Sequence, residues 1–392
     1  MQIIETVETR RFREEVRAWL QENKPRDKRP EDGPEMRAFD MAWQQRQFEG
    51  GWAGVSWPAA YGGRGLALVE QLIWHEEYSR AGAPSSGNMF VALSHAGPTL
   101  INEGSEEQKT YHLPRILRGE VTWCQGFSEP GAGSDLGSLT TRAEVDNDHL
   151  VINGTKIWTT YGPGANFQEL LVRTDPSVAK YRGISWVICP MDTLGVTVRP
   201  IRAMSGLTHF AQCFYDDVRV PLANVVGGLN NGWRVAMTTL GFERGTANIA
   251  HQIELARTVE RLVEIARQIE GPDGQRRAID DEAIAAELAD LRTAVAALRA
   301  MTALTISRNM REAVPGPESN LVALQFGELI RRVMGFALKL LGARGLERQS
   351  DLGEWALEYL ECFKWAIGGG TTEIRRNNIA ERLLGMPKGP RP

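Results

Sequence analysis

The sequence is poor in cysteine, and its cysteines are not arranged as a metal site or a disulfide framework. The 392 residues include only four cysteines, which lie far apart and form no C-x-x-C pair. Scattered cysteines of this kind are typical of a protein from a reducing compartment. We therefore expect all four to be small buried side chains, and we expect no bound metal. They are Cys124, Cys189, Cys213 and Cys362.

Several signatures of common protein classes are also missing. There is no G-x-G-x-x-G fingerprint and no H-E-x-x-H pair, and Ser134 lies in A-G-S-D-L rather than in the G-x-S-x-G elbow of hydrolases. No apolar run is long enough to span a bilayer, and the first residues lack the apolar core of a signal peptide. The net charge is −4 without a block of Lys and Arg, so nucleic acid binding is not indicated. These absences predict a soluble cytoplasmic protein.

The apolar pattern changes twice along the chain. Residues 1–120 carry apolar side chains at helical spacing, as at Phe12 and Val16. Residues 121–229 form short alternating runs separated by Gly, Pro, Asn and Asp, which predicts antiparallel strands and a small β-barrel. Helical spacing returns over residues 230–392. The sequence therefore predicts a mainly α protein with a central β domain, in three domains with these boundaries.

A loop rich in Gly and Pro follows the first predicted strand, with the sequence S-E-P-G-A-G-S-D. Pro130 fixes one φ angle, while Gly131 and Gly133 permit backbone conformations that are closed to other residues. Such a loop can direct its amides and the hydroxyls of Ser128 and Ser134 at a polar ligand. A plain tight turn after a strand explains the same residues.

A second stretch, N-G-T-K-I-W-T-T, begins about twenty residues later. Asn153-Gly154 predicts a hairpin turn, and the residues after it predict a strand. Trp158 and Thr160 are two apart, so they share one face of that strand. An indole beside a hydroxyl suits a flat heteroaromatic ring, whereas a tryptophan in a strand is also a common core residue.

Together these two stretches resemble the flavin signature of the acyl-CoA dehydrogenase family. Two further matches stand in the same order, with G-W, W-P and Y-G-G within residues 51–63 and G-G-T-T-E-I-R-R at residues 369–376. The resemblance runs nearly from end to end. It implies bound FAD, a helical N-terminal domain, a middle β-domain and a C-terminal four-helix bundle. The implied reaction converts an acyl-CoA to a 2,3-enoyl-CoA and passes electrons to an electron-transfer flavoprotein.

The reaction of this family needs a carboxylate base for the α-proton, with a pKa raised by desolvation. In many members the base is a Glu at the position that matches Gly369, which has no side chain to act. Another branch carries its base on a helix directly before an Arg, and that place matches Glu243-Arg244. Helical neighbours of Glu243 are small or apolar and carry no other charge, whereas most helical glutamates are solvated. The resemblance therefore favours Glu243 as the base.

The resemblance also assigns roles to the remaining motif residues. Thr371 and Glu373 match contacts to the adenine half of FAD, although Thr-Thr-Glu is also an ordinary helix start. At two other places where the family contacts FAD, this chain has different residues from many relatives. Lys339 and Arg276 lie at these places and are candidate charge donors to the FAD pyrophosphate. The positions that match the surroundings of the isoalloxazine ring are Phe127, Ser128, Trp158 and Thr160. The positions that match the substrate side are Ser134, Arg244 and Gly369.

Two other functions are compatible with the same motifs, and the resemblance also predicts an oligomer. An acyl-CoA oxidase on the same fold, or a flavin-free structural subunit of a mixed oligomer, would carry much of the same sequence. By resemblance we expect a homotetramer, with a hetero-oligomer as the other possibility. A base on the helix occurs in relatives that handle branched, long or steroid-derived acyl groups, so a bulky acyl chain is expected.

Overall fold

The computed structural model describes residues 6–243, 247–309, 318–347, 350 and 352–389. Contacts divide the chain into two compact units. The first unit is Val7–Glu243, and the second contains the described residues from 247 onward.

Five helices form the N-terminal part of the first unit. Trp19, Trp43 and Trp74, one from each of the three longest helices, pack together with Trp52, which follows the second helix. The Trp52 ring stacks on Trp74 with centroids 4.8 Å apart. The fifth helix begins with a capping box, because the Ser105 hydroxyl accepts from the Gln108 amide while the Gln108 side chain accepts from the Ser105 amide. Ser105 is therefore the N-cap of this helix. The helices are α1 (Val7–Asn23), α2 (Gly33–Glu49), α3 (Leu68–Arg80), α4 (Gly97–Glu103) and α5 (Glu106–Leu117).

Eight strands follow in one sheet, with the order β6-β7-β3-β2-β4-β5-β8 and with β1 paired to β4. Most pairings are antiparallel, as predicted, while β1 and β2 each run parallel to β4. The strands are β1 (Trp123–Gly126), β2 (Arg142–Asp146), β3 (His149–Thr160), β4 (Phe167–Arg173), β5 (Ile184–Pro190), β6 (Val196–Ile201), β7 (Phe210–Pro221) and β8 (Val225–Val226).

The predicted hairpin turn at Asn153-Gly154 is wrong. Both residues lie inside β3, and the turn between β2 and β3 comes earlier, where Asn147 has a φ of 55°. Gly154 is required for a different reason, since a Cβ there would lie 2.7 Å from the Thr141 Cα. An Asn-Gly pair can therefore mark a close backbone approach as well as a turn.

A sixth helix, α6 (Gly232–Glu243), ends the first unit. It packs on β5, on α4 and on a π-helical turn, Ala92–Ala96, that directly precedes α4. The helix that carries the expected base therefore lies against the sheet and the N-terminal helices.

The second unit is helical, and α7, α8, α9 and α11 pack around a common apolar core. The Ala-rich helix Glu282–Asn309 buries one apolar stripe there, at the helical spacing of Leu288, Leu291, Val295 and Leu298. The helices are α7 (Ala247–Gln268), α8 (Glu282–Asn309), α9 (Ser319–Leu341), α10 (Ala343–Leu346), α11 (Glu354–Cys362) and α12 (Thr372–Asn378).

The helical, β and helical order of the sequence-based prediction is confirmed. All four cysteines are free and buried, also as expected. The predicted boundaries of three domains stay a prediction, since the helical N-terminal part and the sheet belong to one compact unit. Among the helices of the described residues, none combines the length and apolar character that crossing a membrane requires.

Candidate functional site

The S-E-P-G-A-G-S-D loop folds as a tight, partly paired turn. Glu129 and Ala132 exchange two backbone hydrogen bonds, with N–O distances of 3.0 and 3.1 Å. Gly131 and Gly133 both have negative φ angles, so the expected need for unusual backbone conformations is not met. A Cβ at either glycine would meet no atom within 4 Å, so the loop is open on that side. Ser134 is exposed at the end of this turn.

The loop is fixed directly to strand β3, so the two predicted flavin motifs are adjacent. The Ile157 amide donates to the Ser128 carbonyl at 2.9 Å. The Lys156 ammonium donates to the Phe127 carbonyl at 3.1 Å and to the Glu129 carboxylate at 2.8 Å. These three hydrogen bonds join two motifs that are about thirty residues apart in the sequence.

Trp158 lies outside the core, on an irregular part of β3. Between Lys156 and Thr159 the strand has one residue more than its partner β7, which is a β-bulge. Trp158 takes a φ of 60° there, and 58% of the residue is exposed. After the bulge Thr159 is buried, whereas Trp158 and Thr160 are not, so these two share the face that Thr159 does not. The interpretation of Trp158 as a core residue is wrong.

Glu129 is a structural acceptor. Its two carboxylate oxygens accept from the Lys156 ammonium, from the Thr140 amide and hydroxyl, and from the Thr141 amide, at 2.7–2.9 Å. Burial acts to raise the pKa of Glu129, but Lys156 and the threonine donors outweigh it and lower the pKa to about 2. Such a carboxylate is a poor proton acceptor at neutral pH, although it belongs to the loop motif.

A polar cluster lies where β1, the strand that leads into this loop, pairs with β4. Gln125 on β1 donates to the Glu169 carboxylate at 2.8 Å, and the Nδ1 atom of His95 lies 3.2 Å from both side chains. His95 stands on the π-helical turn, a feature that often marks functional places in helices. This cluster was not predicted from the sequence, where its signal is a single carboxylate, Glu169, at the start of an apolar strand.

The described part of α6 supports the expected position of the base. Ala236 and Thr239 are fully buried, and the Thr239 hydroxyl lies 2.9 Å from that of Thr99 on α4. Glu243 is the last residue of α6, four positions after Thr239 and seven after Ala236, so its position belongs to the packed side of the helix. The side chain of Glu243 and the whole of Arg244 lie outside the described residues.

The remaining predicted residues belong to the second unit. Gly369 is exposed in the loop before α12 and has a φ of 65°. Thr371 is the N-cap of α12, where its hydroxyl accepts from the Ile374 amide at 3.3 Å. Glu373 is exposed in the first turn, and hydrogen bonds from its own amide and from neighbouring hydroxyls lower its pKa. The helix-start interpretation of Thr371 and Glu373 is therefore right, and it does not exclude a ligand there.

Arg375 is a residue that the sequence analysis did not single out. Its buried guanidinium donates to the carbonyls of Ala323, Trp365 and Gly368 at 2.9–3.2 Å. These bonds fix the glycine loop to α9, so the conformation of Gly369 depends on an arginine six residues later. Its only signal in the sequence is the Arg pair that ends the motif.

Comparisons with known proteins extend over the same elements. Models of the acyl-CoA dehydrogenase N-terminal, middle and C-terminal domains match residues 6–120, 124–218 and 230–384. The acyl-CoA dehydrogenase IpdE1 of Mycobacterium tuberculosis is 38% identical over 385 residues, which cover 96% of this chain and 97% of that protein.

Two solved structures have the same fold over almost their whole length. The structure titled Tcur3481-Tcur3483 steroid ACAD has a TM-score of 0.87 and 32% identity, covering 99% of this chain and 100% of that one. The ChsE4-ChsE5 complex of Mycobacterium tuberculosis has a TM-score of 0.83 and 31% identity, with the same coverage of 99% and 100%. With three domain models in order and a relative matched end to end, the chain belongs to the acyl-CoA dehydrogenase family, flavoproteins that are oxidoreductases acting on CH–CH groups.

Proposed function

We propose that this chain is an FAD-dependent dehydrogenase of a bulky acyl-CoA, with Glu243 as its base and an electron-transfer flavoprotein as its acceptor. The product is the 2,3-enoyl-CoA thioester. The observation that carries the proposal is the exposed Trp158 beside the Ser128 loop. An indole held outside the core, at a costly φ angle, is in place for a ligand rather than for the fold.

The residues of the first unit fit a flavin ring. Trp158 offers an apolar face, while the half-buried hydroxyls of Ser128 and Thr160 offer hydrogen bonds to the edge of a ring. Phe127 is buried directly beneath the loop and keeps that side dry. When bound, FAD supplies the acceptor for the two electrons that leave the β-carbon of the substrate.

Glu243 takes the α-proton in this proposal. The packed side of α6 carries Ala236, Thr239 and the half-buried Leu240, and the position of Glu243 follows them at helical spacing. The reaction needs a carboxylate base whose pKa is raised by desolvation. Glu129, a carboxylate of the loop motif, already accepts hydrogen bonds from Lys156, Thr140 and Thr141. The amide of Gly369 serves the thioester carbonyl, where negative charge develops as the proton leaves.

The other assigned residues bind the two ends of the ligands. Thr371 and Glu373 hold the adenine half of FAD, and Ser134 and Arg244 contact the CoA side. Three consecutive glycines in the loop at Gly369 carry no side chain that would restrict a large acyl group. A relative whose title names it a steroid ACAD supports a bulky substrate for this chain as well.

The decisive test replaces Glu243 by Gln and follows bleaching of the flavin across a panel of acyl-CoA thioesters. The shape of the side chain is nearly unchanged, so the variant should keep FAD and bind acyl-CoA. Reduction should slow by roughly 10²–10⁴-fold, the contribution of a positioned general base. Glu260→Gln on the exposed side of α7 is the matched control and should reduce its flavin at the wild-type rate.

The same preparation separates the alternatives. Wild-type rates in Glu243→Gln with a cognate substrate would refute the assignment of the base. Steady oxygen consumption without an added acceptor would identify an oxidase, and a chain that purifies without flavin absorbance and binds none would contradict the cofactor. Gly369→Glu restores a carboxylate at the other family position, but its φ of 65° strains any side chain, so only a small rescue of Glu243→Gln is expected.

A further inference from the structure

Lys156 is a lysine with no exposed surface in the middle of the flavin motif. It lies on β3, opposite the buried Cys213 of β7. Lysines are almost never fully buried unless they are paired. Burial lowers the pKa of Lys156 to about 8 against the opposing effect of Glu129, with a smaller lowering by Arg173. A charge in this place must therefore be explained by what it contacts.

The hydrogen bonds that the Lys156 ammonium donates go to the loop of the flavin motif. Its ammonium binds the Phe127 carbonyl at 3.1 Å and the Glu129 carboxylate at 2.8 Å. Glu129 in turn accepts from the amides of Thr140 and Thr141, at 2.7 and 2.9 Å, at the far end of the same loop. The pair thus holds the beginning and the end of the loop on one strand.

The same strand carries Trp158 two residues later. A bulky residue at a φ of 60° is strained and persists only when its surroundings fix it. Lys156 and Thr159, the residues on either side of the bulge, are both fully buried. They anchor the strand before and after Trp158, so the exposed indole has little freedom to turn into the core.

We propose that the Lys156–Glu129 ion pair is a positioning device for the flavin. It holds the Phe127-Ser128 segment and the Trp158 bulge at a fixed spacing, so that the hydroxyl, the amides and the indole meet the ring together. The pair acts through these neighbours and does not itself contact the reacting atoms. This inference rests on the proposed function, because it takes FAD as the ligand.

The test compares flavin affinity with folding in a matched set of variants. Lys156→Met removes one charge and leaves Glu129 buried without its partner, so it can fail to fold. The double variant with Lys156→Met and Glu129→Gln removes both charges at nearly constant shape and is expected to fold. The control breaks the Arg219–Asp146 bridge, a half-exposed pair of 2.8 Å on the same sheet, by Arg219→Met with Asp146→Asn.

Each folded variant is stripped of flavin and titrated with FAD, and circular dichroism checks its fold. We expect the double variant to have wild-type secondary structure but to bind FAD at least about tenfold more weakly, since the charged anchor of the loop is lost. The visible absorption band of its bound flavin should also shift, because the indole no longer lies in a fixed position. The control pair should change neither quantity.

Two results would count against the inference in different ways. If the double variant binds FAD with wild-type affinity and an unchanged spectrum, the pair serves the fold alone and the inference fails while the proposed function stands. If the wild-type protein itself does not bind FAD, the proposed function fails first. The wild-type titration therefore precedes the variants.

Discussion

Glu129 shows how much the role of one residue depends on its surroundings. It is buried and accepts four hydrogen bonds from three residues, and these hold its pKa at about 2. Its partner Lys156 has its own pKa lowered to about 8 by burial. The gain at one partner is largely offset at the other, which is the usual balance of a buried ion pair. The main consequence of the pair is therefore geometric.

The low pKa of Glu129 predicts a specific loss of stability in acid. The pKa is below the unfolded value of 4.5, so the stabilising contribution is complete above about pH 4.5 and is lost as the pH falls towards 2. The shift corresponds to about 3 kcal/mol in the free energy of unfolding. Urea unfolding at pH 7, 4 and 3 measures it.

Glu129→Gln should be less stable than wild type at pH 7 by about 3–5 kcal/mol, because Lys156 stays buried without its partner. Its stability should then decline less between pH 4.5 and 3 than that of the wild type. Asp146→Asn, in the half-exposed bridge of the same sheet, is the control and should keep the wild-type slope. Parallel pH profiles for wild type and Glu129→Gln would show that Glu129 does not titrate as described.

Residue roles could be predicted from the sequence only where a motif carries them. The strand pattern left Trp158 open between core and ligand, and the structure decides against the core. Lys156 had no signal, because a lysine in an alternating strand normally points to solvent. Its partner Glu129 stands 27 positions earlier in the chain. Pairs of this separation depend on tertiary packing, which local spacing does not contain.

At the scale of elements, the pairing of β3 with β7 contains two β-bulges, and the extra residue lies on a different strand in each. Near Gly154 the partner strand β7 has one residue more, and near Trp158 the extra residue is on β3 itself. A bulge reverses the alternation of buried and open side chains on the strand that carries the extra residue. On β3 the buried positions therefore continue from Leu150 and Ile152 to Lys156 and shift to Thr159 after the second bulge, which leaves Trp158, within that bulge, exposed.

The strained angle at Trp158 predicts a separation of stability from flavin binding. Trp158→Ala and Trp158→Gly should both weaken FAD binding by roughly two- to tenfold, which matches about 0.5–1.5 kcal/mol for an aromatic contact. Only glycine adopts a φ of 60° freely, so the flavin-free Gly variant should be more stable than the Ala variant by about 1 kcal/mol. Titration with FAD and thermal unfolding measure the two effects.

Asp217 on β7 offers the matched control, since its φ is 49° and it is exposed. The Asp217→Gly variant should likewise be more stable than the Asp217→Ala variant. Both variants should bind FAD with wild-type affinity. Undiminished FAD affinity in both Trp158 variants would mean that the indole does not cover the ring.

Helix α6 marks the limit of element prediction from sequence. Its periodicity identified a helix and an uncharged side around Glu243, and burial of Ala236 and Thr239 agrees with that pattern. The same periodicity does not say which core a helix joins. The helix falls within the match to the C-terminal domain model, residues 230–384, while in the described structure it packs on β5, α4 and the π-helical turn.

At the scale of the whole molecule, the second unit exposes large apolar side chains that a monomer would leave in water. Four of them, each at least half exposed, lie near its helix ends and in the glycine loop. They are Leu346, Ile367, Leu384 and Met386. Exposed apolar surface of this kind commonly marks an interface between chains. The exposed apolar side chains therefore support an oligomer, which was predicted from the sequence only by resemblance to the family.

We therefore predict that the purified chain is a tetramer, and that Leu346→Asp combined with Leu384→Asp shifts it to smaller species. A buried carboxylate in an apolar interface lacks a partner, and its desolvation opposes assembly. Leu194→Asp is the control, because Leu194 is 93% exposed and belongs to the first unit. Light scattering of the flavin-bound protein at micromolar concentration measures the mass. A flavin-bound monomer for the wild type would contradict the prediction, and a tetramer obtained only on co-expression with an unlike dehydrogenase chain would replace the homo-oligomer by a mixed one.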